Sequence, residues 1–345
     1  MRRDEESMFR WLVEIRCHAR TKLDRVMAYE LEIGELVAQH KLQEAVKLGV
    51  IVLKDLGVSF PRQPFRLQIL LSFVQVKLGL LRTPIDSLVD LPEVTDAMLC
   101  AQVRIMRRIA KPAYMSFPDL APLITFKQMH LLLRYGHTPF SPSILGSMGL
   151  LLCGAVGDLD TGYRLGLVAL RLLEKSPNNP HKGRTVYLFN HFVRHWKEHL
   201  NTTLGSIQEA YRLCLEAGDL EWASNAGVAY CQHLFLSGAE LDACARECTI
   251  YSQAIRAFKE ESMLATNEII RQTVLIIIRF QVETNYPRPG GQTSQSLGVI
   301  RQTRKPGMKL CKHSGHGVEN AIRELLFPEF IPDMFLGVEF RRVAR

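Results

Sequence analysis

A turn followed five residues later by a small side chain recurs along this chain, and it limits the possible folds more than any other feature. The pairs are His40/Ala45, Gly157/Gly162, Gly218/Ala223 and Gly238/Ala243. The first shows what the pattern means. Thr21 can cap a helix running to about Gln39, with Val26, Tyr29, Ile33, Leu36 and Val37 on one face. After His40-Lys41, a second face follows with Leu42, Ala45, Val46, Gly49, Val52, Leu53 and Leu56, and Gly57 stops it. A large side chain just after the turn would push the two helices apart. Gly49, on the buried face, predicts a close approach by a further helix.

A glycine ending one helix with a small residue where the next helix crosses it is the grammar of the tetratricopeptide (TPR) repeat. Here the repeat is degenerate, because 61 residues separate Gly157 from Gly218 and only 20 separate Gly218 from Gly238. Further helices are predicted near 66–80, 95–110, 118–135, 142–156, 182–200, 203–216, 221–237, 241–258 and 263–285. Prolines such as Pro61, Pro84, Pro112, Pro139 and Pro177 fall mostly between or at the starts of them. No alternating run bounded by hairpin turns predicts a strand. Each hairpin has an apolar face that it cannot bury alone, and stacking hairpins side by side covers it. The expected fold is therefore all-α: a TPR-like α-superhelix, a solenoid of antiparallel helix pairs, over residues 1–285.

An irregular basic tail is expected over 286–345. Tyr286-Pro287-Arg288-Pro289-Gly290-Gly291 breaks any helix. The tail carries five of the eight net positive charges, which leaves the helical body nearly balanced and argues against nucleic acid as a partner. A composition without periodicity here fits a frameshifted or fragmentary coding sequence. The eight cysteines are scattered through apolar helical segments, as expected of reduced thiols in a cytoplasmic chain. No apolar run is long enough for a membrane span.

Tyr29–Pro61 (YELEIGELVAQHKLQEAVKLGVIVLKDLGVSFP), Tyr135-Gly136-His137-Thr138, Gly149–Leu173, His195–His199 (HWKEH) and Leu215–Tyr230 (LEAGDLEWASNAGVAY) carry a resemblance. They are similar to the TPR-like helical region of large bacterial signal-transduction proteins. In those proteins a Ser/Thr kinase domain and an AAA/NACHT-like ATPase precede the helical region, and a GAF domain and a sensor histidine kinase often follow. The resemblance covers about Ala19 to about Thr284 and no catalytic domain. It implies a regulatory, protein-interacting role with no enzymatic activity in this chain.

The motifs of the common phosphotransfer routes are missing. There is no G-x-x-x-x-G-K-[ST] loop, no H-R-D or D-F-G sequence and no G-x-S-x-G elbow. The sharpest chemical candidate is His195-Trp196-Lys197-Glu198-His199, an H-x-x-E-H order in which His195 and His199 would share a zinc on one helix face and Glu198 would act as base. Glu268 is the candidate third ligand, and a zinc-dependent hydrolase is the alternative function. The favoured reading makes Phe189, Phe192, Val193, Trp196 and Leu200 a buried stripe, with His191, His195 and His199 along its edge. Cys244 and Cys248 share a helix face and are expected as small buried hydrophobes rather than ligands. Cys311-Lys312-His313 with His316 lacks the second half of a zinc knuckle. Arg104, Arg107, Arg108 and Lys111 form a basic helix end that could meet an acidic partner but fits a solvated face better. The expected function is a non-catalytic protein-interaction and regulatory scaffold, with no cofactor and no metal.

Overall fold

The computed structural model describes residues 14–15, 18–61 and 64–284. The expected tail over 286–345, with Cys311, His313 and His316, lies outside the described residues. All regular structure among the described residues is helical, apart from one isolated parallel bridge between Glu93 and His137. The described chain divides into two compact units, with the sequence boundary between His181 and Lys182.

The first unit contains α1 (Lys22–Ala38), α2 (Leu42–Asp55), α3 (Arg66–Arg82), a 3-10 turn (Ile85–Asp90), α4 (Ala97–Ser116), α5 (Leu120–Tyr135), α6 (Ser141–Leu151) and α7 (Leu159–Lys175). Thr21 caps α1 as expected. Its hydroxyl accepts from the Asp24 amide at 3.2 Å, and the Asp24 carboxylate accepts from the Thr21 amide at 2.9 Å. The expected close approach at Gly49 is made by α4: a Cβ built there would lie 2.3 Å from Cγ2 of fully buried Ile109. α4 extends past the predicted end near 110 and passes through Pro112, which is buried inside the helix. Pro112 lacks the amide proton that would bond to the Arg108 carbonyl, and its own carbonyl accepts from the Ser116 hydroxyl at 2.7 Å. α3 packs on α5, with the Phe73 and Phe126 rings 5.8 Å apart. α6 winds into one π-helical turn, Leu152–Val156, before Gly157 reverses the chain with φ +80°.

The second unit contains α8 (Lys182–Phe192), 3-10 turns at Arg194–Trp196 and Leu200–Thr203, then α9 (Leu204–Glu216), α10 (Leu220–Leu236), α11 (Leu241–Phe258) and α12 (Glu261–Thr284). Successive helices pack as hairpins around Ile207, Ala210, Ala226, Cys231, Cys248, Ile255 and Ile270. Gly218 and Gly238 turn the chain with positive φ, as the repeat grammar requires. The small residue after the turn is fully buried at Ala45 and Ala223, and at Gly162 a Cβ would lie 2.5 Å from the Cys153 sulfur. The fourth pair differs. Ala243 is only partly buried, and its neighbour Cys244 occupies the closed position.

Candidate functional site

The H-x-x-E-H sequence does not lie on one helix. α8 was expected to run to about 200, but it ends at Phe192, and the chain passes through a 3-10 turn to an extended residue, His199 (φ −64°, ψ 140°). Local bonds satisfy this ending. The Trp196 indole N–H donates to the Phe192 carbonyl at 3.1 Å, and the Val193 amide donates to the Phe189 carbonyl at 3.0 Å. The buried stripe is therefore shorter than expected. Phe189 and Val193 are fully buried, Phe192 and Leu200 are partly buried, and Trp196 is 39 % exposed.

The polar members of the motif also point to separate tasks. Glu198 pairs with Arg194 at 2.8 Å. His199 caps the following turn, its Nδ1 accepting from the Asn201 amide at 3.3 Å. Glu268, on α12, takes both Nε and Nη2 of Arg271 on one carboxylate oxygen at 2.9 and 2.7 Å. Burial is the largest single influence and raises the Glu268 pKa, but the hydrogen bonds from Arg271 and Ser252 and the charges of Arg271 and Arg256 together leave it below the usual value. Among the described residues no three His, Cys, Asp or Glu side chains are placed to hold one metal ion.

The tertiary structure instead builds a site that the sequence reading missed. His233, on α10, is 3 % exposed. Its Nε2 lies 2.9 Å from Nδ1 of His191 on α8, and its Nδ1 lies 2.7 Å from Oγ1 of buried Thr203. The Thr203 hydroxyl has one proton, and it donates that proton to the Leu200 carbonyl at 2.7 Å. Thr203 can therefore only accept from His233, so His233 carries its proton on Nδ1. A neutral His233 must then accept at Nε2, and His191 donates from Nδ1. With both imidazoles neutral, the bonds run one way, His191 to His233 to Thr203 to Leu200.

The surroundings reinforce neutrality. The Tyr187 ring stacks on His191 with centroids 5.2 Å apart, and the His195 ring stands perpendicular to His233 at 6.1 Å. Burial first, then the charge that His195 would carry, pushes His233 down to about 4. Burial first, then His233 and His195, holds His191 well below the ordinary histidine range. Burial also lowers His195, against the opposing pull of the His191 carbonyl. The expectation that His191 and His195 line the solvent edge of the stripe is thus corrected: they turn inward toward α10. One signal could have identified His233 beforehand. It follows Ala226 and Tyr230 at helical spacing on the apolar face of α10.

The remaining sequence candidates are engaged inside their units. Arg104 makes a two-pronged pair with Glu30 at 2.8 and 3.0 Å, and Arg107 donates to Ser143 at 3.0 Å. Cys244 and Cys248 are both fully buried. Cys244 points at the Ala239 carbonyl, 3.8 Å away, and burial pushes its thiol up to about 11. Cys248 instead contacts Cys231 on α10, and that contact with burial keeps the Cys231 thiol protonated far above the usual range. The two therefore do not face a common ligand.

No family model matches the chain, and no solved structure matches it. Among curated proteins it is similar to hybrid signal transduction histidine kinase G of Dictyostelium discoideum, with 26 % identity over 158 residues. That stretch is 45 % of this chain and 5 % of the kinase, so the chain matches a small part of a much longer protein. The similarity associates the chain with signal transduction. It carries no AAA-type ATPase, Ser/Thr kinase or bacterial association. No described helix is long and apolar enough to cross a membrane.

Proposed function

We propose that this chain is a non-catalytic interaction and regulatory region of a signal-transduction protein. The observation that carries this reading is the similarity to a hybrid histidine kinase of which the chain covers only 5 %. A matching stretch of that size fits one part of a multidomain kinase rather than a whole enzyme. The internal arrangement supports the same reading. The polar groups of the H-x-x-E-H segment serve helix ends and ion pairs, and the histidines of the second unit bond to one another. Helical hairpins stacked as TPR-like repeats would present an extended surface to a neighbouring domain or protein. Buried free thiols at Cys153, Cys214, Cys231, Cys244 and Cys248 fit a reducing, cytoplasmic setting.

The test uses the purified full chain and the catalytic portion of the Dictyostelium kinase. We expect saturable binding by surface plasmon resonance and a change of at least twofold in autophosphorylation rate when the chain is added. Zinc bound at one equivalent, with a hydrolase activity that His195→Ala abolishes, would overturn the proposal. So would ATP turnover that depends on a residue of this chain.

A further inference from the structure

α3 is apolar on two opposite faces. One face, Ile69, Phe73, Val76 and Leu80, is buried against the unit. The other carries Leu67, Leu71, Val74, Leu78 and Leu81, all exposed, from 39 % at Val74 to 81 % at Leu81. Their spacing is four, three, four, three, which is the alternation of a coiled-coil seam. A straight helix drifts by only about 20° per heptad, so over these two heptads the five side chains stay on one line. Roughly half of each side chain is open, on the order of 500 Å² of apolar surface, which is at the upper end of what a monomer leaves exposed without a partner. A second helix laid along the seam would cover a similar area of its own, and the total reaches about 1,000 Å², the scale of a specific interface.

Charge decides which helix fits. The sequence RLQILLSFVQVKLGLLR contains Arg66, Lys77 and Arg82 and no carboxylate. Lys77 is held by Asp158 at the start of α7, which leaves a guanidinium at each end of the seam. On α5, the neighbour of α3, Lys127, His130 and Arg134 follow one another at helical spacing, and burial, then Lys127 and Arg134, lowers the His130 pKa. A second copy of α3, laid parallel or antiparallel, would bring arginine against arginine and offer no carboxylate to either. The polar flanks beside the seam, Gln68 and Gln75, likewise supply no negative partner.

We propose that the Leu67–Leu81 seam of α3 docks an amphipathic helix of a protein partner, one with its own leucine or isoleucine seam flanked by aspartate or glutamate. This rests on the scaffold reading above and names the surface and the partner chemistry for it. Apolar side chains from the partner would interdigitate along the seam, and its flanking carboxylates would meet Arg66 and Arg82.

The experiment measures fluorescence anisotropy of two labelled helical peptides against the full chain. Both peptides carry the same leucine seam, one with glutamate flanks and one with lysine flanks. The acidic peptide should bind at least tenfold more tightly, and its affinity should fall with added salt. Leu71→Glu with Leu78→Glu should abolish binding while the circular dichroism melt stays unchanged, because both sites are exposed. Equal binding of the two peptides, or binding that survives the double substitution, would overturn the proposal. A chain that dimerises in sedimentation analysis, and becomes monomeric on the double substitution, would assign the seam to a second copy and overturn it as well. If neither peptide binds while the kinase portion still does, the seam assignment fails and the scaffold reading stands; if neither binds and the kinase portion is also ignored, both fail.

Discussion

The Nδ1–H of His191 donates to Nε2 of His233 across the α8–α10 contact at 2.9 Å, and the direction of that bond is set by a threonine hydroxyl on the far side. The arrangement is a buried polar chain in which each member depends on the next. Removing one link leaves its neighbours desolvated and without partners. That is more costly than the net gain of making the bonds.

His233→Phe keeps the volume but orphans both the His191 N–H and the lone pair of Thr203. The expected loss is about 2–6 kcal/mol, from two unsatisfied buried groups at roughly 1–3 each. Thr203→Val removes the acceptor for His233 Nδ1–H and should cost about 1–3 kcal/mol. Because the two residues share one bond, the double mutant should cost less than the sum. Urea melts of the four proteins at pH 7.5 measure the coupling, and strict additivity would contradict the bonded chain.

The same histidines make stability pH-dependent. Their folded pKa values lie below the unfolded value of about 6.5, so the unfolded chain binds protons first as the pH falls. Their contribution is whole above about 6.5 and is lost progressively as the pH falls below it. For His233 alone, depressed to about 4, the loss is on the order of 3 kcal/mol. Thermal melts at steps from pH 7.5 to 4.5 should show this decline, and His233→Phe should flatten part of it. An unchanged slope in the variant would mean that His233 is not the titrating group.

Gly49 permits the contact between α2 and α4. Gly49→Ala would gain about 1 kcal/mol of helix propensity, but its Cβ would lie 2.3 Å from a fully buried isoleucine. Overpacking of this kind costs about 1–3 kcal/mol, so the net effect should be destabilising. Ile109→Val cannot relieve it, since that change keeps Cγ2 or its equivalent, whereas Ile109→Ala should. Thermal melting of the Gly49→Ala/Ile109→Ala pair against the single variants checks this, and a Gly49→Ala variant as stable as wild type would contradict the approach.

Trp196→Ala should cost about 1 kcal/mol, well short of the 3–5 kcal/mol typical of a buried tryptophan, because the ring is 39 % exposed and its main polar task is one bond to the Phe192 carbonyl. Denaturant melts of the variant decide the matter: a loss above about 3 kcal/mol would restore the buried stripe.

Much of this protein is encoded within a few residues at a time, and there the sequence is sufficient. A glycine at φ +80° or +69°, a threonine three residues before an aspartate and an alanine five residues after a turn each act on their immediate neighbours. Their structural consequence can be derived without knowing where the rest of the chain goes. The all-helical class follows from the same local signals repeated. The end of α8 is less legible, because the pattern Phe189, Phe192, Val193, Trp196, Leu200 continues a helical period past the point where the backbone leaves the helix. Periodicity alone cannot register that an indole N–H has taken over the last carbonyl. Nor can it find the histidine chain, whose members lie 42 and 30 residues apart in sequence and meet only through the packing of α8, α10 and the Leu200–Thr203 turn. α3 marks the same boundary from the other side. Both of its opposite faces are apolar in the sequence, and which is buried against Phe126 and which is left to solvent is decided by the helices packed around it.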